Sequence, residues 1–498
     1  VSAALHTVHV RVNDAATGRP TPVRIRITNP AEEYLPPFGR LAEFATGRNQ
    51  DVGGNLLLDG KASAYIDGSG EVRLPAGPLV VEISKGPEYL PQRVETSLTP
   101  GKLALRFTVQ RWADLRGEGW YSGDTRAHFL TPHAALLEAA AEDLAVVNLL
   151  ATVCEVPGPN QKTYRAIPNM LAFSGQRPAL EVPGHLVVVN THNAHPVLGS
   201  LGLLNCHRAV YPLSFGGPDG LDDWTLADWC DQCHRKGGLV VWTGAPQQEP
   251  DSAWGEPLAD LILGKVDAVE TNSSDASPAD VLTPWYALLN CGFRVPLCGG
   301  SGKDSNAVAL GSLRTYARLQ PGEELSYKNW IEAVRAGRTF VTSGPLLSFT
   351  AAGREPGSVF DLDPETSTVR VRAEARSVLP FDQLEVIANG AVAADTTPSG
   401  FPPSAVLEVE VPVPAGGWLA ARCSGHQRPF AHTAPVYVRR QGQPPNADSA
   451  AVAELLGHLD RMLEWVANQG CFENENQRAR LAAVFESAKE ALEGRARG

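Results

Sequence analysis

The chain has 498 residues, with 43 Lys and Arg against 55 Asp and Glu, a net charge of −12. That length allows several domains, and an acidic balance without a concentrated basic face argues against nucleic acid as a partner. Hydrophobic residues make up 43% of the chain, so real cores can be buried. No run of 18 or more apolar residues occurs, and no membrane span is expected.

The first hundred residues alternate with a period of two. Val8, Val10 and Val12, then Val23, Ile25 and Ile27, then Leu103, Leu105, Phe107 and Val109 are each separated by single residues. That rhythm means strands with one buried face, and turn clusters such as Asp67-Gly68-Ser69-Gly70 separate them. A β-sandwich is expected over residues 1–112.

From Trp120 the pattern changes. Thr131-Pro132 reads as a helix start, a capping hydroxyl followed by proline at the first helical position. Compact apolar runs follow at Ala145–Leu150, Leu186–Asn190, Gly238–Trp242, Val266–Glu270, Val295–Cys298 and Arg314–Leu319, with helical stretches between most of them. Strand alternating with helix predicts parallel strands buried on both faces. Of the eight cysteines, only Cys230-Asp231-Gln232-Cys233-His234 forms a motif, with the spacing of a haem attachment. It lies inside an expected helix ending at Lys236-Gly237-Gly238 and has no partner motif, so it reads as part of that helix.

After Pro345 the two-residue alternation returns in Val369, Val371, Ala373 and Ala375, then Leu407, Val409, Val411 and Val413, with an Asn389-Gly390 turn between. A second β-sandwich is expected over residues 346–440. Gln441–Ala447, with Pro444-Pro445, reads as a linker. Beyond it, Val452, Leu455, Leu459, Leu463 and Val466, then Leu481, Phe485, Ala488 and Leu492, mark two amphipathic helices over 448–498. A helical hairpin follows.

Several blocks in the middle third carry a resemblance. They are Gly119-Trp120-Tyr121-Ser122-Gly123-Asp124, Gly237-Gly238-Leu239-Val240-Val241-Trp242, Leu263-Gly264-Lys265-Val266-Asp267-Ala268-Val269-Glu270, Leu289-Asn290-Cys291-Gly292-Phe293-Arg294 and Ala336-Gly337-Arg338-Thr339-Phe340-Val341-Thr342-Ser343-Gly344-Pro345. In this order they resemble the carbaryl-hydrolase-like (CehA/McbA) branch of the PHP metallohydrolase superfamily. The resemblance implies a multidomain α/β plus β fold. A distorted PHP-like α/β barrel over 113–345 would be flanked by two β-sandwich domains and a C-terminal helical hairpin. It also implies divalent-metal hydrolysis of esters, carbamates or phosphoesters, and suits an exported protein, periplasmic or extracellular, with a cytoplasmic one as the alternative.

The metal ligands depart from that pattern. The His-x-His expected after Gly-Asp-x reads Arg126-Ala127-His128, and an arginine has no lone pair for a metal. Other ligand positions fall at Leu150-Ala151, Gly199-Ser200, Gly244 and Gly302. Catalytic zinc needs three protein ligands, so the ancestral centre is expected to be lost and no cofactor is expected. Zinc or manganese on a site rebuilt from His128, His192, His195 and Asp304 is the alternative.

Candidate catalytic residues are Asp124, His128, Glu270 and Asp304; candidate substrate-binding residues are Arg126, His192, His195, Trp242 and Lys303. Carboxylates at strand ends suit acid–base chemistry when their pKa values are pushed apart, and an imidazole near neutrality suits a proton shuttle. Lys303 and Asp304 occupy a Gly/Ser-rich loop able to cradle an anion or sugar hydroxyls, with an ordinary turn as the plain reading. Trp120, Trp224, Trp229, Trp242, Trp254 and Trp285 offer flat faces for a sugar ring or for core packing. The expected function is a metal-free hydrolase or lyase acting on a carbohydrate or related polyol, with a small-molecule or glycan substrate. A metal-dependent hydrolase and a non-catalytic ligand-binding protein are the alternatives. Oligomeric state is open at this stage. Limited proteolysis should cut first within Gln441–Ala447, since proline-containing linkers are cleaved before packed elements.

Overall fold

The computed structural model describes residues 5–99, 101–157, 162–217, 220–244, 253–272, 281–363, 365–424, 430–443 and 446–497. Pro444-Pro445 of the expected linker lies outside them.

Eight strands come first: β1 (Leu5–Asp14), β2 (Val23–Thr28), β3 (Asn55–Leu58), β4 (Lys61–Ile66), β5 (Ser69–Pro75), β6 (Gly77–Ser84), β7 (Gln92–Leu98) and β8 (Ala104–Val109). They form a three-stranded sheet, β5-β1-β8, and a five-stranded sheet, β3-β4-β2-β6-β7. The alternating valines of β1 and the Val23, Ile25, Ile27 row of β2 share one apolar core. Leu103 precedes β8 and is exposed.

The central region contributes β9 (Trp120–Ala127), β10 (Val146–Ala151), β11 (Cys154–Pro157), β12 (Thr163–Ala166), β13 (Leu180–Val182), β14 (His185–His195), β15 (Gly199–Leu204), β16 (Leu239–Thr243), β17 (Ala268–Asn272), β18 (Leu297–Gly300), β19 (Arg314–Arg318) and β20 (Thr339–Thr342). Its helices are α1 (Pro132–Ala141), α2 (Leu226–Arg235), α3 (Glu256–Ile262), α4 (Leu282–Asn290) and α5 (Tyr327–Arg335). The Thr131 side chain accepts from Ala134 N and starts α1, as its sequence predicts. On α2, Cys230 and Cys233 lie on the buried face with Trp229, which accounts for the cysteine spacing as core packing.

Apart from the β11-β12 hairpin, which is its own sheet, and β13, which pairs with β14 at the side, these strands form one large curled sheet, a half-barrel, in the order β18-β17-β16-β15-β14-β10-β9-β19-β20. The expectation of uniformly parallel strands needs correction. β9, β10 and β14 are parallel, as are β16, β17 and β18. β15 runs antiparallel to both neighbours, because only Pro196–Leu198 separates it from β14, too short for a crossover. β19 is antiparallel to β9 and to β20.

The sheet does not stop at β20. The last strands are β21 (Leu346–Ala351), β22 (Val359–Leu362), β23 (Thr368–Arg376), β24 (Gln383–Ala388), β25 (Ala391–Thr396), β26 (Ser404–Pro412), β27 (Gly417–Ser424), β28 (Ala431–Thr433) and β29 (Val436–Arg440). β28 pairs with β20 through Phe340↔Thr433, so the curled sheet continues into β27, β24 and β25. A three-stranded sheet, β21-β23-β26, shares an apolar core with that extension. Asn389 (φ 51°) and Gly390 (φ 89°) make the β24–β25 turn with two left-handed residues, the hairpin geometry their types favour. Two helices, α6 (Ser449–Asn468) and α7 (Glu475–Arg497), bury Leu455, Leu459, Phe485 and Leu492 in the core that α3 and α4 also line.

One part of that core is polar. Glu256 and Asp260 stand one turn apart on α3, both fully buried. Glu256 Oε1 accepts from Ala227 N at the start of α2, and Asp260 Oδ2 faces Cys230 Sγ at 3.7 Å. Glu256 Oε2 and Asp260 Oδ1 have no hydrogen-bond partner among the described residues. Burial first, with Asp228 adding to it against Arg480, lifts the Glu256 carboxyl to about 7. Burial and Glu256 push Asp260 well above its ordinary value, against Lys265. A carboxyl whose folded pKa is raised stabilises the fold while protonated, and that stability is lost as pH rises from the unfolded value through the folded one. Thermal stability should therefore fall between pH 5 and 8. A Glu256→Gln, Asp260→Asn variant should be more stable than the parent at pH 8, by about 3 kcal/mol for a shift of this size, and flatter with pH. Melting curves across that range check it.

Candidate functional site

The site begins with a carboxylate that holds the sheet in its curl. Asp124, on β9, is fully buried. Its Oδ1 accepts from Arg126 N and Ser301 N, both at 3.0 Å. Its Oδ2 accepts from Ser301 Oγ at 2.5 Å and Gly311 N at 2.9 Å. Burial raises its pKa while these four donors pull the other way. They bring the end of β18 against β9 so closely that a Cβ on Gly300 would lie 2.7 Å from Thr125 Oγ1 and 2.8 Å from Arg126 N.

Next to it is an ion pair. Arg126 Nε donates to Glu270 Oε1 at 2.7 Å, and Thr125 Oγ1 donates to Glu270 Oε2 at 2.8 Å. Glu270 is 0% exposed and Arg126 8%, so the pair is effectively buried. Burial raises Glu270, opposed chiefly by the Arg126 guanidinium. Arg126 Nη2 is buried without a hydrogen-bond partner among the described residues. The Arg126 side chain thus pairs with Glu270, while Asp124 accepts from its backbone N–H.

Two imidazoles complete the mouth. The His128 and His192 rings stand edge to face with centroids 5.4 Å apart. His128 Nδ1 lies 3.1 Å from the Leu150 carbonyl, so that nitrogen carries the proton and Nε2 keeps a lone pair. His192 Nε2 meets Thr243 Oγ1 at 2.9 Å, and Thr243 Oγ1 meets Ser200 Oγ at 3.1 Å. Burial, then Arg126, hold His128 down at about 3. Burial, then His128, Arg126 and Arg48, hold His192 well below its ordinary value, although part of that residue still meets solvent. Both rings are neutral at pH 7.

The remaining candidates sit elsewhere. Asp304 stands at the rim, where Arg48 Nε approaches Oδ2 at 3.4 Å. Its loop is occupied by the N-terminal region: Asn49 N donates to the Asp304 carbonyl, and Asn306 Nδ2 donates to the Ala45 and Asp51 carbonyls. Lys303, expected to touch substrate, is fully buried instead. Its ammonium donates to Val308 O at 2.7 Å and lies 3.4 Å from Glu138 Oε2, beneath the mouth. Trp242, also expected to touch substrate, is 2% exposed and packed in the apolar core, because its side chain falls on the helix-covered face of β16. His195 points to the C-terminal helices. Its Nδ1 accepts from Leu198 N, its Nε2 donates to Asp222 Oδ1 at 2.8 Å, and Asp222 Oδ2 accepts from Cys471 N. Successive residues of a strand face opposite sides, but His192 and His195 are three apart, so one faces the mouth and the other does not.

Sequence reasoning missed Arg48, Thr152, Ser200 and Thr243. Thr243 and Thr152 directly follow apolar runs, a position that marks them. Arg48 lies in an aperiodic loop with no such mark. Beside the mouth, Glu155, Thr163, Tyr164, Arg165, Gly216 and Gly220 line a cleft of about 360 Å³.

Compared with known proteins, the chain matches no family model and no curated protein. Among the described residues no group of three or more His, Cys, Asp or Glu side chains is placed to hold a metal ion. The donor set explains this: Asp124 and Glu270 are engaged by protein donors, and a guanidinium stands beside the two imidazoles. These residues do not fit a divalent ion.

Removing one partner of a buried ion pair strands the other charge, at a cost of about 3–5 kcal/mol. Arg126→Met should destabilise the protein by that order. Arg126→Met combined with Glu270→Gln should recover most of the loss. Chemical denaturation of both variants checks it, and equal losses in the two would contradict the pairing.

Proposed function

We propose that this chain is a PHP-like barrel protein, flanked by two β-sandwiches and a C-terminal helical hairpin, that binds a small carbohydrate or related polyol at the mouth of its curled sheet without transforming it. The observation that carries this reading is the engagement of the acid–base groups there. Asp124 accepts four hydrogen bonds, Glu270 is held by Arg126 and Thr125, and both histidines are neutral. A general acid or base works best with a pKa near the working pH; here the two carboxylates are engaged and burial holds both imidazoles well below neutrality.

What remains suits recognition. Arg126 Nη2 is an unmet donor, and His128 Nε2 is an acceptor. The adjoining cleft adds Glu155, Arg165 and the half-exposed Tyr164 ring. Few convergent polar groups in a concave site, with an aromatic face, are what a polyol ring requires.

The second reading is a metal-free hydrolase or lyase for the same class of substrate. Its support is the His128 Nε2 lone pair, a base already in its unprotonated form.

Calorimetric titration with monosaccharides, sugar acids and alditols, run beside a panel of chromogenic glycosides and esters, separates the two. Binding without turnover is expected, and His192→Ala should weaken it at least tenfold, or about 1.4 kcal/mol. Turnover lost on His128→Ala would establish the enzyme reading instead. Absence of binding to every polyol would overturn both.

A further inference from the structure

At the opposite end of β17 and β18 from the mouth lies a separate cavity of about 510 Å³. It is bounded by the end of α3, the turns leading into β17 and β18, the strands β27 and β29, and the last turn of α7. That volume is in the range of small-molecule sites, roughly 300–1,000 Å³.

Two features of its lining belong together. Phe293, Trp418 and Tyr437 supply aromatic walls, with Leu261, Ile262 and Val359 between them. Arg294, Arg335, Arg439 and Arg495 supply four guanidinium groups, against Asp267 as the one acidic residue of the lining. Asp267 is engaged by Arg335 at 2.8 Å and by His234 at 3.0 Å. Arg439 pairs with Asp361 outside the cavity, and its Nε is buried with no hydrogen-bond partner. The Arg495 guanidinium lies over the Phe293 ring at 4.3 Å. Arg294 is exposed and has no ion-pair partner among the described residues.

In a chain of net charge −12, a concave aromatic surface with two cations, Arg294 and Arg495, beyond the Arg335–Asp267 and Arg439–Asp361 pairs is a focused positive potential, which concentrates anions. Charge alone would suit a bare inorganic ion, but the aromatic walls would then gain nothing from the contact. An apolar body is needed to use them, and an acidic head to use the arginines, whose planar forks match carboxylate and phosphate oxygens.

We propose that this cavity binds a small amphipathic organic anion, with its apolar body against Phe293 and Tyr437 and its acidic head between Arg294, Arg439 and Arg495. The site is independent of the mouth and of any function there.

The test uses the full chain and calorimetric titration with 4-phenylbutyrate, 4-phenylbutan-1-ol and inorganic phosphate. The carboxylate should bind at least tenfold more tightly than the alcohol of the same shape, and more tightly than phosphate, with an affinity that falls as salt is added. Arg294→Gln with Arg495→Gln should reduce it to the level of the alcohol. Both side chains are exposed, so the variant should keep the parent's melting temperature. Four results would overturn the proposal. Equal affinities for acid and alcohol would leave an apolar crevice, and phosphate as tight as the carboxylate would leave a bare anion site. An unchanged affinity in the double variant would place the binding elsewhere, for instance at Arg126. No binding of the carboxylate at millimolar concentration would remove the site.

Discussion

The Asp124 carboxylate is the constraint on which the central region rests. A buried carboxylate is costly unless every lone pair finds a donor, and here the donors come from three places in the chain: Arg126, Ser301 and Gly311. Satisfying it forces the end of β18 onto β9, which gives the sheet its curl and leaves no room for a side chain at Gly300. The same closure sets the loop from Lys303 to Asn306, on which the N-terminal loop carrying Arg48 and Asn49 is seated. One carboxylate thus joins two strands of the curled sheet and a distant loop.

Beside that latch, a guanidinium occupies the position where the resemblance leads one to look for a metal ligand. Arginine supplies positive charge and directional donors, yet it cannot be displaced, cannot accept a lone pair and cannot lower the pKa of a bound water as a metal does. Burial keeps both imidazoles unprotonated, and the nearby Arg126 cation adds to that effect. The result is a cluster of buried polar groups with fixed donor and acceptor roles.

Much of the architecture was legible because it follows from periodicity. The valines of β1 and the alternation of β23 face their cores as a two-residue rhythm requires, and Thr131-Pro132 opens α1 for a local reason. Strand direction was not legible: the reversal at β15 depends on a three-residue connection that carries no apolar signal. At the site, the positions of His192 and Glu270 could be read from the ends of apolar runs, and those of Asp124, Arg126 and His128 from the Gly119–Asp124 block that carries the resemblance. Their roles could not, since whether a carboxylate is free or engaged depends on donors such as Ser301 and Gly311 that lie nearly two hundred residues away. Lys303 and Trp242 show the converse. Residue type suggested a binding role, and only packing reveals that Glu138 and the apolar core enclose them.

The pairing of β20 with β28 bears on how the chain is made. β20 belongs to the curled sheet, but its outer edge is completed only by residues about ninety positions further on. During synthesis from the N-terminus the central strands of the curled sheet emerge first and must wait, with one hydrogen-bonding edge open, until β28 follows. Distant strand pairings of this kind form slowly and leave a template for unwanted association in the interval. The central region and the strands after it are therefore one unit of assembly, finished together although they were begun apart.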